Sequence, residues 1–475
     1  MDPSPPVQST NPSVDVVTDP DVLDGYREDA SSVRGQPEGL VRPASAAEVA
    51  AALAEAAARG IAVTPCGLRS STTGSGLAPR GWSLSTERLV GIEDIDPVAR
   101  TAIVRAGTVL RDVKDAVAEH GLLYPPDPTS EKECALGGTV ACDASGARSF
   151  KYGATHRWVR GVEVALVDGS VQWFRRPHIG KDACGYAGLR DMTRLFCGSE
   201  GTLGVITRVE VDLAPAPEAF TAGLAFFQTV PDALAFVGLA RLPGALTPRC
   251  LELLDATALA IMRDQGSGIA IPENAGAAVF FEEEHAGDAD MAVMEAWWGA
   301  LVAAEGALPD DTVIASDHNQ QEALRILRHA VPATLNEEGR SAWDAGGKKV
   351  STDWAVPFPE LAAFMERSDR WLAEADLHRV ARYGHVGDGH PHYNVIVRDH
   401  AEAARAATVV DRMCREAIAL GGTISAEHGI GKVKRRYAPY RFSPLQLAAM
   451  KGIKAAFDPS GILAPGNIWE EEPSR

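Results

Sequence analysis

Short apolar runs and amphipathic stretches alternate along the first half of the chain, which predicts a mixture of strands and helices. The alanine-rich residues 46–58 follow Ser45 and precede Gly60, as expected for a capped helix. A second helix is predicted over residues 109–119. Apolar runs predict strands over residues 61–64, 101–105, 162–166, 170–174 and 204–213. This alternation is typical of an α+β fold.

A Pro-Ala-Pro sequence at residues 215–217 marks a change of pattern, because strand–helix pairs follow it. Strands are predicted over residues 222–227, 277–282 and 350–356, and helices over residues 232–240 and 288–304. We expect these pairs to form a sheet with helices on one of its sides.

Four regions follow from these patterns. A disordered tail is expected over residues 1–25, and a first domain over residues 26–217. A second, ferredoxin-like α+β domain is predicted over residues 218–420. The glycine-rich residues 421–475 are expected to return to the first domain.

Composition and charge exclude several classes of protein. Hydrophobic residues make up 45% of the 475 residues, which excludes a wholly disordered chain. The net charge of −18, from 46 Lys and Arg against 64 Asp and Glu, disfavours nucleic acid as a partner. The seven cysteines form no CxxC pair, and the chain shows neither a secretory signal nor a transmembrane segment. These features predict a cytoplasmic protein with reduced cysteines.

Three glycine-rich loops are predicted in the first domain, over residues 66–76, 135–146 and 197–206. Glycine lets backbone N–H groups approach an anion closely, so such loops suit a pyrophosphate. None of them matches a dinucleotide-binding or P-loop motif, and each alone is more often a tight turn. Together they favour a nucleotide cofactor that is bound without a Rossmann motif.

Three histidines, His385, His390 and His392, stand within eight residues around a Gly-Asp-Gly sequence. A single histidine is more often a structural residue. Three of them around one turn favour a metal or proton-transfer site, because imidazole is a common ligand of borderline divalent ions. We expect Asp388 only to shape the turn.

Glu427 and His428 are adjacent and flanked by glycines. They would supply a further metal ligand and a general base. The alternative is a helix capped by Ser425, with Glu427 in solvent.

Two pairs of basic residues are candidate binders of a substrate carboxylate, although most such residues are solvated: Arg325 with Arg328 in a helical stretch, and Lys348 with Lys349 in a glycine-rich loop.

These motifs together resemble the PCMH-type (vanillyl-alcohol-oxidase-like) FAD flavoproteins. The resemblance is to the branch that holds D-lactate dehydrogenase, D-2-hydroxyglutarate dehydrogenase and the D subunit of glycolate oxidase. It runs from about Gly35 to Trp469 and rests, in this order, on GGTVACDASGARSFKYG, LFCGSEGTLGVIT, LRHAVPA, GHVGDGHPHYN, AEHGIGK and FDPSGILAPGNIW. It implies a two-subdomain FAD-binding domain followed by an α+β substrate domain, or cap.

The resemblance also implies roles for individual residues. Non-covalent FAD would be bound by Gly67, Ser70, Ser71, Pro126, Asp127, Gly137, Gly138, Gly146, Gly198, Glu200, Gly201, Ile206 and Asn467. A divalent metal, with zinc as the first choice, would be bound by His385, His392 and Glu427. His428 would be the catalytic base, and the substrate would contact Arg328, Lys349 and Asn394.

The implied reaction is oxidation of a small D-2-hydroxy acid, D-lactate first, to the 2-oxo acid. D-2-hydroxyglutarate and glycolate are alternative substrates, and a transferase of the alkyl-ether-lipid synthase type is an alternative activity. A quinone, a cytochrome or an electron-transfer flavoprotein would accept the electrons.

This chain departs from its relatives at several positions. Leu68 and Arg69 replace two glycines, and His390 stands where relatives carry asparagine. Ser351 is an alternative to Lys349 for the family's second basic substrate contact.

Overall fold

The computed structural model describes residues 14–470, except residues 32, 178, 180, 245, 266–268, 288, 289 and 316. Its first helices are α1 (Pro20–Asp24), α2 (Ala46–Arg59), α3 (Leu110–Ala118), α4 (Leu136–Cys142), α5 (Ser149–Tyr152), α6 (Ala187–Arg190) and α7 (Thr193–Phe196). The strands of the same region are β1 (Gly39–Val41), β2 (Val63–Cys66), β3 (Trp82–Ser85), β4 (Ile92–Asp96), β5 (Thr101–Arg105), β6 (Leu122–Leu123), β7 (Val159–Ala165), β8 (Val171–Arg175), β9 (Val205–Asp212) and β10 (Ala214–Pro215).

Two sheets dominate this first region. Strands β1, β3 and β2 form a parallel sheet in that order. Strands β4, β5, β9, β7 and β8 form an antiparallel sheet in that order. Helix α2 covers the parallel sheet through buried Val49 and Leu53, and it starts at the predicted cap, where the side chain of Ser45 accepts a hydrogen bond from the amide of Glu48.

The rest of the chain alternates strands and helices. The strands are β11 (Ala219–Phe227), β12 (Pro248–Asp255), β13 (Ala277–His285), β14 (Val313–Ala315), β15 (Gly346–Ser351), β16 (Val380–Gly384) and β17 (His392–Asp399). The helices are α8 (Val230–Ala240), α9 (Ala256–Asp264), α10 (Asp290–Val302), α11 (His318–Ser341), α12 (Phe358–Glu374), α13 (His400–Ala419), α14 (Ala438–Arg441) and α15 (Pro444–Phe457). The α+β class predicted from the sequence is therefore confirmed.

The strands of this second region form one antiparallel sheet in the order β14-β11-β13-β12-β16-β17-β15. The prediction of helices on one side of this sheet is wrong. Helices α8, α10, α12 and α13 pack on one face, and α9 and α11 pack on the other. The central strands are apolar on both faces for this reason: Leu224 and Phe226 face α11, while Ala225 and Phe227 face α8.

Three further predictions from the sequence need correction. The stretch that contains Gly137 and Gly138 is helix α4 rather than a loop, because Leu136 and Val140 anchor it in the core. Lys349 lies within strand β15, which ends at Ser351 instead of starting at residue 350. The predicted disordered tail is too long, since helix α1 occupies part of it and buries Leu23.

The C-terminal segment pairs with the first region. Leu463 forms a parallel bridge with Val63 of β2, and the amide of Ala464 donates a 2.8 Å hydrogen bond to the carbonyl of Val63.

All seven cysteines are free, as predicted. Among the described residues, no helix combines the length and the apolarity that crossing a membrane requires. Apart from the tail, the region boundaries predicted from the sequence stay predictions.

Candidate active site

Three imidazoles and one carboxylate meet at one place on the seven-stranded sheet. His385 follows strand β16, His390 follows the turn after it, and His392 opens strand β17. Together with Glu427, each offers one ligand atom, and these four atoms lie within 4.8 Å of one another. The Oε1 atom of Glu427 is 2.7 Å from Nε2 of His385, and its Oε2 atom is 3.7 Å from Nε2 of His392.

Neighbouring acceptors fix the orientation of two of these rings. Nδ1 of His385 lies 2.5 Å from Oε1 of Glu252, and Nδ1 of His392 lies 3.2 Å from the carbonyl oxygen of Thr352. A ring that donates from Nδ1 presents the lone pair of Nε2, and both Nε2 atoms face Glu427. This donor set of imidazole nitrogens and a carboxylate fits a borderline divalent cation such as zinc.

The charges around the cluster also favour a cation. Burial disfavours ionised Glu427, but the attraction of His385 outweighs burial and holds the pKa of Glu427 well below its usual range. Burial lowers the pKa of His392 to about 3, so this ring is neutral. Burial also opposes protonation of His385, yet Glu427 and Glu252 raise the pKa of His385 well above its usual value. A positive charge is therefore favoured between these two carboxylates.

His428, the predicted base, lies beside this cluster and faces Asp353. Nδ1 of His428 is 3.4 Å from Oδ2 of Asp353, and its Nε2 is 3.7 Å from Oε2 of Glu427. Burial lowers the pKa of His428, but Asp353 outweighs burial and raises this pKa above its usual value. The His428 side chain is 36% exposed, whereas that of His385 is 6% exposed, so His428 is the more accessible to a substrate.

Asp353 holds the backbone of this segment in place. Its carboxylate accepts hydrogen bonds from the amides of Glu427 (3.2 Å) and His428 (3.1 Å), from the hydroxyl of Ser425 (3.1 Å), and from the ammonium of Lys434. Residues 425–429 are not helical, so the alternative of a helix capped by Ser425 is wrong.

Arg328 of helix α11 reaches the same carboxylate that orients His385. Its guanidinium forms an ion pair with Glu252 of strand β12, so Glu252 joins the predicted substrate arginine to a predicted metal ligand. Arg325, one turn earlier, pairs with Glu322 at the protein surface. The structure thus brings Arg328 to the cluster and leaves Arg325 outside it.

Asn394 joins the cluster, but Lys349 does not. Asn394 lies opposite Ser351 in the sheet, and the Ser351 hydroxyl donates a 2.6 Å hydrogen bond to Oδ1 of Asn394. Lys349 lies opposite Ile396 in the sheet and packs against Gly339 of helix α11. Gly339 is eleven residues after Arg328, which corresponds to about 16 Å along the helix. Of the two alternatives for the second substrate contact, the geometry therefore favours Ser351 over Lys349.

The predicted flavin residues surround the segment that carries Glu427 and His428. The loop after β2 holds Gly67, Ser70 and Ser71, and its Thr73 hydroxyl donates a 3.1 Å hydrogen bond to the carbonyl of His428. The Ser145 hydroxyl, next to Gly146, donates to the carbonyl of Ala426 at 3.3 Å. Two of the predicted flavin loops are thus joined directly to the predicted base and metal ligand.

Glu200 and Asn467 are two further predicted flavin residues, and they belong to the hydrogen bonds around the same segment. The Glu200 carboxylate accepts hydrogen bonds from the amides of Ile430 (2.6 Å) and Gly431 (2.8 Å). Asn467 donates to the carbonyls of Glu200 and Ser75, both at 2.9 Å. Gly198 and Gly201, on either side of Glu200, both adopt positive φ.

The other predicted flavin residues occupy different surroundings. Gly146 packs against the backbone of Asp127, which follows Pro126. Ile206 is a core residue of strand β9. A Cβ atom at Gly137 would meet Ala106 at 2.6 Å, whereas one at Gly138 would meet open space.

The donors of these loops fit a flavin nucleotide. The hydroxyl of Ser71 lies 3.3 Å from that of Thr73 and 3.0 Å from that of Ser75, in the loop that follows β2. The carboxylate of Glu200 is turned to amides of the C-terminal segment. Backbone amides and hydroxyls without an opposing carboxylate are the groups that bind a pyrophosphate.

Sequence reasoning missed Glu252 and Asp353, and it gave His390 no ligand role. Glu252 stands in the apolar strand sequence Cys-Leu-Glu-Leu-Leu, and a charged residue there signals a buried, paired carboxylate. Asp353 precedes buried Trp354 and carries the same kind of signal. The expectation that Asp388 only shapes its turn is also incomplete, since it accepts a 2.7 Å hydrogen bond from the Ser149 hydroxyl.

Two family models match most of the chain. Residues 37–175 match the model described as "FAD binding domain", and residues 216–468 match "FAD linked oxidases, C-terminal domain". Glycolate oxidase subunit GlcD of Bacillus subtilis is 31% identical, with 94% of this chain and 92% of that protein covered. A D-2-hydroxyglutarate dehydrogenase of Xanthomonas citri is 30% identical, with 98% and 96% covered. A D-lactate dehydrogenase of Anaerostipes hadrus is 29% identical, with 95% and 94% covered.

Solved structures of the same fold include two enzymes of low sequence identity. 4-Ethylphenol oxidase from Gulosibacter chungangensis superposes with a TM-score of 0.73 at 18% identity and covers 96% of this chain and 94% of its own. An alkyldihydroxyacetonephosphate synthase superposes with a TM-score of 0.70 at 15% identity and covers 95% and 82%. At these identities the likeness shows the fold alone.

Proposed function

The chain belongs to the PCMH-type FAD-linked oxidase family, and on that premise we propose that it oxidises a D-2-hydroxy acid, D-lactate first, to the 2-oxo acid. The family and the fold predicted from the sequence are confirmed, and the chain is an FAD-dependent oxidoreductase. The substrate, the metal and the roles of single residues belong to this proposal.

One observation carries the proposal. A partly exposed histidine, His428, lies between a cluster fit for a divalent cation and loops fit for a flavin. Oxidation of an alcohol carbon needs these three elements together, because a proton and a hydride leave the substrate in the same reaction.

His428 is the proposed base. Its Nδ1 faces Asp353, so Nε2 is the atom that accepts the proton of the C2 hydroxyl. Asp353 holds this tautomer and stabilises the imidazolium that forms. A divalent cation held by His385, His392 and Glu427 would polarise the hydroxyl and lower its pKa.

The substrate carboxylate is oriented by side chains on helix α11 and strand β17. Nδ2 of Asn394 is buried and has no hydrogen-bond partner among the described residues, so it is available as a donor. Arg328 supplies a guanidinium from helix α11, which packs on a face of the same sheet. FAD, when bound, would supply the acceptor for the hydride from C2, and a quinone, a cytochrome or an electron-transfer flavoprotein would take the electrons.

The balance of charge favours a small monocarboxylate as the substrate. The charge of Arg328 is already offset by Glu252. Lys349 lies against Gly339, away from Asn394. Arg328 is therefore already paired and Lys349 is displaced from Asn394, so neither is well placed for a second carboxylate, which 2-hydroxyglutarate would bring.

A substrate panel tests this proposal. Steady-state rates with an artificial electron acceptor would be measured for D-lactate, L-lactate, glycolate and D-2-hydroxyglutarate. We expect the highest kcat/KM for D-lactate, about one equivalent of divalent cation in the purified protein, and loss of activity after its removal. A higher kcat/KM for D-2-hydroxyglutarate would refute the substrate assignment, and full activity without metal would refute the role of the cation.

A further inference from the structure

We propose, on the basis of the metal site in the proposed function, that His390 is a fourth protein ligand of the divalent cation. The chain then holds the ion with three imidazoles and one carboxylate: His385, His390, His392 and Glu427.

Distances bring His390 into the coordination sphere. Its Nδ1 atom lies 4.0 Å from Oε1 of Glu427. Its ring centroid is 4.5 Å from that of His392 and 5.5 Å from that of His385. Two ligands of one ion, each about 2.1 Å from it, are about 3.4 Å apart in a tetrahedral sphere and about 4.2 Å apart on opposite sides of a larger sphere. The four donor atoms, all within 4.8 Å, therefore need shifts of up to about 1 Å to share one ion.

The orientation of the His390 ring supports the same assignment. Its Nε2 lies 3.3 Å from Oδ1 of Asp353, and its other nitrogen is directed to Glu427. His385 has a comparable arrangement at shorter range, with Glu252 hydrogen-bonded to Nδ1 and Glu427 at Nε2, whereas the contact of His390 with Asp353 lacks hydrogen-bond geometry. A carboxylate behind the ring and an ion in front of it is the usual setting of a metal-bound histidine.

Burial and charge give an independent reason. The His390 side chain is 3% exposed, so it has been moved out of water into the cluster. Three buried carboxylates (Glu252, Asp353 and Glu427) surround the cluster, and two fixed cations (Arg328 and Lys434) pair with them. The remaining negative charge is costly in a buried site unless a cation offsets it.

A fourth ligand changes which ions suit the site. Three imidazoles favour borderline ions such as zinc or cobalt over magnesium or calcium, which prefer oxygen ligands. Four protein ligands fill a tetrahedral sphere, so the ion must accept a fifth or sixth ligand if a substrate is to bind it.

Metal titration of His390→Asn tests the inference. Flavin-loaded protein stripped of metal would be titrated with zinc alone by calorimetry. Loss of a partner behind a metal ligand commonly costs about 10–100-fold in affinity, so loss of a ligand itself should weaken zinc binding at least about 10-fold. X-ray absorption of the zinc-loaded protein should count three imidazoles in the wild type and two in the variant.

Controls separate this effect from misfolding. His378→Asn removes an exposed imidazole that pairs with Asp376 at the surface, and this variant should bind zinc as the wild type does. His390→Gln should repeat the loss of zinc affinity seen with His390→Asn, and the flavin absorbance of each sample reports folding.

Equal zinc affinity and an equal imidazole count in wild type and His390→Asn would overturn this inference alone. No zinc binding by the wild type would overturn it together with the metal of the proposed function.

Discussion

Glu252 lies 2.5 Å from Nδ1 of His385, although 133 positions separate the two residues in the sequence. The same carboxylate pairs with Arg328. Arg328 and His385 outweigh the effect of burial and hold the pKa of Glu252 at about 2. Glu252 is therefore an anion that positions a predicted metal ligand and a predicted substrate contact together.

The variant Glu252→Gln should weaken metal binding by about 10–100-fold, because the amide orients His385 less strongly than the carboxylate does. Arg328 would also lose the contact that holds its guanidinium in place, which should raise KM. Zinc titration and steady-state kinetics measure the two effects. Glu322→Gln, at an exposed pair with Arg325 on the same helix as Arg328, is the matched control. Unchanged zinc affinity in Glu252→Gln would show that the contact with His385 has no part in metal binding.

The variant His428→Ala should keep its flavin and its metal but reduce the flavin about 10²–10⁴-fold more slowly with substrate. His428 lies outside the cluster around His385, but with Asp353 it forms a second possible ligand group that shares Glu427, so zinc affinity should fall less than the loss of a cluster ligand causes. Anaerobic stopped-flow absorbance measures the rate, and zinc titration provides the control. A variant that reduces its flavin as fast as the wild type would exclude His428 as the base.

Glu282 links the two regions of the chain through a buried ionic network. Its Oε2 lies 3.0 Å from Nε of Arg148 and 2.6 Å from Nε of Arg249. Glu282→Gln should lower the free energy of unfolding by up to about 3–5 kcal/mol, because Arg148 and Arg249 then keep only the longer contacts with Asp127 (3.6 Å) and Glu284 (3.3 Å). Urea unfolding measures the change. Arg175→Gln, at a partly exposed pair with Glu210, should cost less than about 1 kcal/mol. A similarly small loss of stability in both variants would contradict the stabilising role of Glu282 in the buried network.

Glu200 should make stability depend on pH. Burial raises the pKa of this carboxyl to about 6, above the ordinary value of 4.5. The folded state therefore binds the proton more tightly, and the resulting stabilisation is present below about pH 4.5 and is lost as pH rises through about 6. A shift of this size corresponds to about 2 kcal/mol.

The variant Glu200→Gln removes this titration. Relative to the wild type, its free energy of unfolding should rise by up to about 2 kcal/mol between pH 4.5 and pH 7. Urea unfolding of both proteins at the two pH values measures the difference. A difference that does not change with pH would show that the pKa of Glu200 is ordinary.

Much of the first region is predictable from local pattern. Helix α2 begins at Ala46 as predicted, because Ser45 supplies a side-chain cap, and β5 has the predicted bounds Thr101–Arg105. Helix α4 was missed because two glycines disfavour a helix locally, while the burial of Leu136 and Val140 against the first region's core decides the outcome.

The site is predictable where its residues are close in sequence. His385, His390 and His392 are separated by one turn, so their meeting follows from the sequence. Glu252 comes from a strand more than one hundred residues earlier, and its position depends on the order β12-β16-β17 in the sheet. Lys349 and Ser351 stand on the same face of one strand, so only the neighbouring Asn394 distinguishes them.

The visible spectrum of the purified protein, recorded before and after anaerobic addition of D-lactate, tests whether the protein oxidises a D-2-hydroxy acid. We expect the flavin band to bleach with D-lactate and to persist with L-lactate. A flavin band that persists with D-lactate, glycolate and D-2-hydroxyglutarate alike would contradict oxidation of a 2-hydroxy acid.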